Sequence, residues 1–204
     1  MSSMFTITGR YHAVPPPADW REILAGRLGS RPRRIGAWAE LALFGALECL
    51  ADAGENLLPA GASIFVSSRH GPADATREVY AQARDDLPMP LLFLQTQPSQ
   101  MLAVLAAHIG WSGNASFTCN PQPEALLRLA AAQSGSEGLL LGWVEENNDG
   151  KTAWLRLRPV DNAPAAGRAA SVQEIFSSTA THLRIASPGL EDGDVGRAAV
   201  LKLP

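Results

Sequence analysis

Lysine is nearly absent from this 204-residue chain, and its arginines are scattered instead of forming a stripe. With a net charge of −3, the basic footprint of a nucleic-acid binder is missing, so no nucleic-acid partner is expected. No apolar run reaches the ~18–20 residues that span a bilayer. Met1 to Arg10 holds no basic region followed by an apolar stretch, so no signal peptide is expected. Two cysteines, Cys49 and Cys119, build no disulfide framework and match no metal spacing. These absences predict a cytoplasmic protein without metal or cofactor.

What is present is core material. Hydrophobic residues make up 46% of the chain, enough for one well-packed domain of this size. Met4 to Gly9 is short, β-branched and closed by glycine, which predicts a first strand. After the prolines Pro15 to Pro17, Asp19 leads into a short helix, Trp20 to Leu24. Arg34 to Ala53 carries Ile35, Trp38, Ala39, Ala42, Ala46 and Leu50 at helical spacing. Its wide apolar face predicts burial on most sides, and Gly54 supplies a left-handed stop.

Ala62 to Ser67 reads as a strand buried on both faces, as in parallel sheets. Helices are predicted over Ala73 to Arg84, Pro98 to Ile109 and Pro121 to Gln133, with strands at Ala115 to Cys119 and Leu139 to Val144. Asn147 to Gly150 is a turn signal. In the strand Thr152 to Arg158 beyond it, Leu155 and Leu157 alternate with Trp154, Arg156 and Arg158, which predicts one less buried face. The order βααβααβαββ predicts an α/β domain over residues 1–160: a mostly parallel five-stranded sheet with an antiparallel last strand and helices on both faces. Asp161 to Ala170 reads as a linker, and a helix over Val172 to Thr181 opens a tail that runs to residue 204.

Several of these pieces, in order, resemble one family. Phe5-Thr-Ile-Thr-Gly9 resembles the opening strand of the β-ketoacyl-acyl carrier protein synthases, and Asp19-Trp-Arg-Glu-Ile-Leu-Ala-Gly26 their following helix. The stretch from Arg34 to Leu50-Ala-Asp-Ala-Gly54 is similar to their long buried helix. Ile64-Phe-Val-Ser-Ser-Arg-His-Gly71 resembles their second strand and glycine turn, and Gly142-Trp-Val-Glu145 their Gly-Gly-x-Glu strand end. The likeness covers residues 1–158. It is strongest to short N-terminal-half members of the thiolase superfamily, among them chain-length-factor partners in aryl polyene pigment pathways.

The resemblance implies half of a thiolase-type fold that assists a complete ketoacyl synthase in polyketide or fatty-acid-type synthesis. It places Cys119, in Ser116-Phe-Thr-Cys119, at the family's nucleophile position. A cysteine ahead of a helix start is suited to thiolate chemistry. The setting departs from the family, however: bulky Phe117 and Thr118 precede it, and Asn120-Pro-Gln-Pro123 follows. The family's condensing histidines and lysine come from a second half, and this chain ends at Pro204. His12, His70, His108 and His182 match no such motif. Gln122 is a second candidate, because chain-length factors place a glutamine near this turn.

The implied interface or tunnel residues are Met101, Leu102, Ala115, Ser116, Phe117 and Thr118. The implied partner is a full ketoacyl synthase, with a homodimer as the alternative. An acyl carrier protein is a further partner, which Arg31, Arg33 and Arg34 would meet. Two other readings stay open: a stand-alone acyltransferase or thioesterase using Cys119, and a carrier-protein or small-molecule binding module. Cys49, Trp38, Trp111 and Trp154 read as core or interface, His70 as a turn residue, and Glu145 and Glu146 as loop caps.

Overall fold

Residue chemistry sets each element in turn. In the computed structural model, residues 3–85, 90–119, 123–147, 150–161, 168–169, 171–185 and 199–202 are described. Strand β1 (Ser3–Ala13) leads to helix α1 (Trp20–Leu28), which closes on Gly29 in the left-handed region. Helix α2 (Ala37–Asp52) is buried continuously from Trp38 to Ala46 and ends where Gly54 turns left-handed. Strand β2 (Ser63–Ser68) is buried at every position. Helices α3 (Ala73–Arg84), α4 (Pro90–Gln95) and α5 (Pro98–His108) follow, then β3 (Ala115–Cys119), α6 (Pro123–Ala132), β4 (Leu139–Glu145) and β5 (Lys151–Pro159). The remaining elements are β6 (Arg168–Ala169), α7 (Val172–Ser177), β7 (His182–Ile185) and β8 (Ala199–Lys202).

One sheet runs in the order β3-β2-β4-β5-β1-β7-β8-β6. Strand β2 is parallel to both β3 and β4, while β5 is antiparallel to β4 and to β1. Strands β1 to β4 therefore point one way and β5 runs against them, as expected. What differs is position and number. Strand β5 lies between β4 and β1, because its turn from β4 forces a hairpin that takes β4's free edge. Three further strands extend the sheet beyond β1, where β7 pairs with Ser3 to Thr6.

Helices cover both faces. On one, α1, α2 and α5 pack against Ile64, Val66, Leu140, Val144 and Trp154. On the other, α6 and α7 pack against Phe65, Leu139, Leu141, Trp143, Leu155 and Leu157. Residues 171–185 thus contribute to the second core through Val172, Ile175, Phe176, Leu183 and Ile185. Helix α2 is sealed by this chain, and α6 buries Leu126, Leu127 and Ala130, leaving Leu129 on the surface. Trp38 and Trp111 donate their indole N–H groups to the Val144 and Ala62 carbonyls, which fixes them as core residues.

The less buried face expected for β5 is also corrected. Trp154 and Arg156 are both 0% exposed. Gly45 on α2 makes the tryptophan fit: a Cβ there would lie 2.0 Å from Thr152 Oγ1 and 2.6 Å from Trp154 Cδ1. Arg156 is buried because it is paired. Its Nε donates to Glu55 Oε2 at 2.8 Å, and Nη1 donates to the carbonyls of Glu137 and Leu157. Alternation in sequence could not reveal this partner, since Glu55 sits in the turn after α2.

Candidate functional site

Parallel pairing brings the carboxyl ends of β2, β3 and β4 together, the side of an α/β sheet where sites gather. Ser68 pairs in register with Cys119, and Ser67 with Trp143. Beyond β2 the chain turns at His70 and Gly71, whose N–H groups both donate to Ser68 Oγ, at 3.3 and 2.8 Å. Gly71 has φ 58, which glycine adopts without strain. The predicted glycine turn is therefore present, and His70 is part of it.

Glu145 locks this turn to β4. Its carboxylate accepts the Arg69 N–H at 2.5 Å, the Trp143 indole N–H at 3.0 Å and the Ser68 hydroxyl at 3.0 Å. His70 Nδ1 lies 3.7 Å away. Glu146 accepts the Asp74 N–H at the start of α3, and burial pushes its carboxyl pKa up. Both glutamates hold loops, as the sequence suggests.

Cys119 ends β3 and is exposed. Its thiol donates to the Arg69 carbonyl at 2.9 Å. A carbonyl accepts a hydrogen bond but cannot take the proton, and among the described residues no histidine or carboxylate is bonded to the sulfur. An activated nucleophile needs such a base. The other histidines do not converge here: His12 lies on β1, His108 ends α5, and His182 opens β7 beside Thr181. Gln122, and the junction that would place a helix start behind Cys119, lie outside the described residues.

Cys49 is sealed in α2, where burial raises its thiol pKa far above the usual range. The two thiols should therefore separate cleanly. A thiol reagent near neutral pH is expected to modify one equivalent per chain in the native protein, at Cys119, and two in denaturant. Two rapid equivalents in the native state would mean that α2 is not the sealed element described above.

The implied interface residues divide. Met101 is 1% exposed and belongs to this chain's own core, so it has no surface to offer. Leu102, Ala115, Ser116, Phe117 and Thr118 are half-buried. Among the described residues, strand β3 is the sheet's edge, paired on one side only. The Ile64 N–H bonds to the Asn114 carbonyl, so the parallel ladder aims Ser116 and Thr118 at β2. It leaves the backbone groups of Ala115, Phe117 and Cys119 facing outward. The Phe117 ring packs edge-on against Trp38, 5.4 Å between centroids. Arg31 joins Arg21 on Glu40, an ion-pair cluster at the start of α2.

Two features escape the sequence pattern. Helix α4 presents exposed Leu91, Phe93 and Leu94, a surface hidden within one long apolar run of sequence. The other is a cavity of about 210 Å³ lined by Arg69, Trp143, Glu145, Lys151, Val172, Gln173 and Phe176. Burial pushes the Lys151 ammonium pKa down; nearby Glu145 opposes this, and Arg69 adds to it. Lys151 Nζ stands 5.5 Å from the Trp143 ring centroid. Among the described residues, no group of three or more potential ligands could hold a metal, and no helix is long and apolar enough to cross a membrane.

No protein-family model matches this sequence, and no curated protein is significantly similar to it. Similar solved structures do exist. One is a ketosynthase (ApeO) in complex with its chain length factor (ApeC) from Xenorhabdus doucetiae, at TM-score 0.56 and 14% identity. The match covers 81% of this chain and 83% of that one, so the two have nearly the same length. A second is AntDE:AntF, a type II polyketide synthase acyl-carrier protein in complex with its ketosynthase bound to the hexaketide, at TM-score 0.57 and 12% identity. A third is the ishigamide ketosynthase/chain length factor, at TM-score 0.57 and 13% identity. In these two the match covers 79% of this chain but only 59% of the other. Backbone likeness at such low identity speaks to fold. This chain has the α/β, thiolase-type fold of the ketosynthase and chain length factor proteins.

Proposed function

We propose that this chain is a non-catalytic, chain-length-factor-type subunit that pairs with a complete β-ketoacyl synthase. The observation that carries this reading is the edge strand β3: among the described residues its outward backbone groups are unpaired, and its side chains are half-buried up to the exposed Cys119. An open parallel edge is a template for another chain, and Leu102, Ala115, Ser116, Phe117 and Thr118 lie at or near it. Cys119, with a carbonyl and, among the described residues, no base bonded to it, favours a supporting role over independent acyl transfer. The fold shared with ketosynthase/chain length factor complexes agrees. The setting would be polyketide or fatty-acid-type synthesis in the cytoplasm, with aryl polyene pigments as the narrower assignment. A homodimer is the alternative partner for this edge, and an acyl carrier protein is a further partner, which Arg31, Arg33 and Arg34 would meet.

Co-expression with a complete ketoacyl synthase, followed by size-exclusion chromatography with light scattering, tests the reading. The expected result is a one-to-one complex whose condensation activity neither chain shows alone, and which Cys119→Ser leaves unchanged. A stable homo-oligomer that ignores the synthase would overturn it. So would a complex that Cys119→Ser inactivates, which would return the chemistry to this chain.

A further inference from the structure

We propose that the cavity between the carboxyl end of β4 and helix α7 binds a small organic carboxylate with a flat apolar body. Lys151 and Arg69 would hold its charge, and Trp143, Val172 and Phe176 its body. This goes beyond the partner-subunit reading, because every wall comes from this chain.

Among the described residues, the charges at the cavity do not balance: Lys151 and Arg69 line it together with a single carboxylate, Glu145. That carboxylate already accepts from the Arg69 backbone, the Trp143 indole and the Ser68 hydroxyl. Neither cation makes an ion pair within 4 Å among the described residues. Two like charges facing one half-buried space repel, and an anion placed between them would relieve both. The ammonium, held near an indole face in place of a carboxylate, is left with donors to spare.

The floor selects the rest of the ligand. Trp143, Val172 and Phe176 are each buried, at 6%, 2% and 1% exposure. A hydrated inorganic anion gains nothing from such a surface, whereas a flat ring gains by stacking and by leaving water. At about 210 Å³ the space is smaller than sites for drug-sized ligands, and suits a body of roughly ten heavy atoms. The Gln173 side chain adds a neutral polar group to the wall. The site exists because α7 packs over the strand ends, bringing Val172, Gln173 and Phe176 to residues from β4, β5 and the turn after β2.

Phenylacetate is the probe, with phenylacetamide as its uncharged isostere and inorganic phosphate as the bare anion. Isothermal titration and ligand-observed NMR on the full chain should show saturable binding of phenylacetate, at least roughly tenfold tighter than the amide. Arg69→Gln, at an exposed side chain, should leave circular dichroism unchanged and weaken phenylacetate by a similar factor. Lys151→Met should weaken it further. Equal binding of acid and amide would overturn the proposal, as would no saturable binding, phosphate binding as tight as phenylacetate, or native affinity in Arg69→Gln.

Discussion

Glu55→Ala is expected to destabilise the fold by about 3–5 kcal/mol, because it strands a fully buried guanidinium. Arg156 is 0% exposed and relies on Glu55 at 2.8 Å; among the described residues its Nη2 already lacks a hydrogen-bond partner. Arg158 binds the other carboxylate oxygen at 2.6 Å. Urea unfolding should show a lower midpoint with an unchanged slope. Adding Arg156→Met should recover part of the loss, since the stranded charge then disappears. A Glu55→Ala protein as stable as the parent would mean that water reaches Arg156.

The same pair predicts a pH dependence. Burial alone would raise the Glu55 pKa, but hydrogen bonds from Arg156 and Arg158, with their charges, bring it below the ordinary carboxylate value. A depressed folded-state pKa gives stability that is present above the unfolded pKa, about 4.3. That stability is lost as pH falls through the lower folded value. The gap between parent and Glu55→Ala should therefore be widest near neutrality and narrow in acid.

Ala115→Pro is expected to leave the isolated chain folded while weakening its association with the synthase by roughly ten- to hundredfold. Its N–H points outward, so proline removes no bond to β2. The ring instead takes a donor from the open edge and intrudes where a partner strand would lie. Ser116→Pro is the contrasting variant. Its N–H faces β2, so the fold itself should suffer. If Ala115→Pro kept full association, the partner would sit elsewhere, and the apolar face of α4 would be the next surface to alter.

Local order in the chain was legible because it rests on local physics. The β-branching of Met4 to Gly9 and the continuous apolar character of Ala62 to Ser67 and Leu139 to Val144 made strands. The apolar breadth of α2 meant burial, and Gly54 and Gly71 marked turns. The glutamates at the end of β4 were readable as loop caps, but the donors they hold, from Ser68, Arg69 and Asp74, lie 72 to 77 positions away.

Partnership between distant segments was decided only by the tertiary structure. Arg156 looked like a solvent-facing residue because its partner lies 101 positions away. Met101 looked available for an interface, yet helix packing places it in this chain's core. Strand β5 looked like the last strand, but the sheet takes it inside and continues through residues that read as a tail. The cavity needs Arg69, Lys151 and Phe176 from three separate segments. Periodicity reports which face of an element is apolar; it carries no information about what that face, or a charge upon it, will meet.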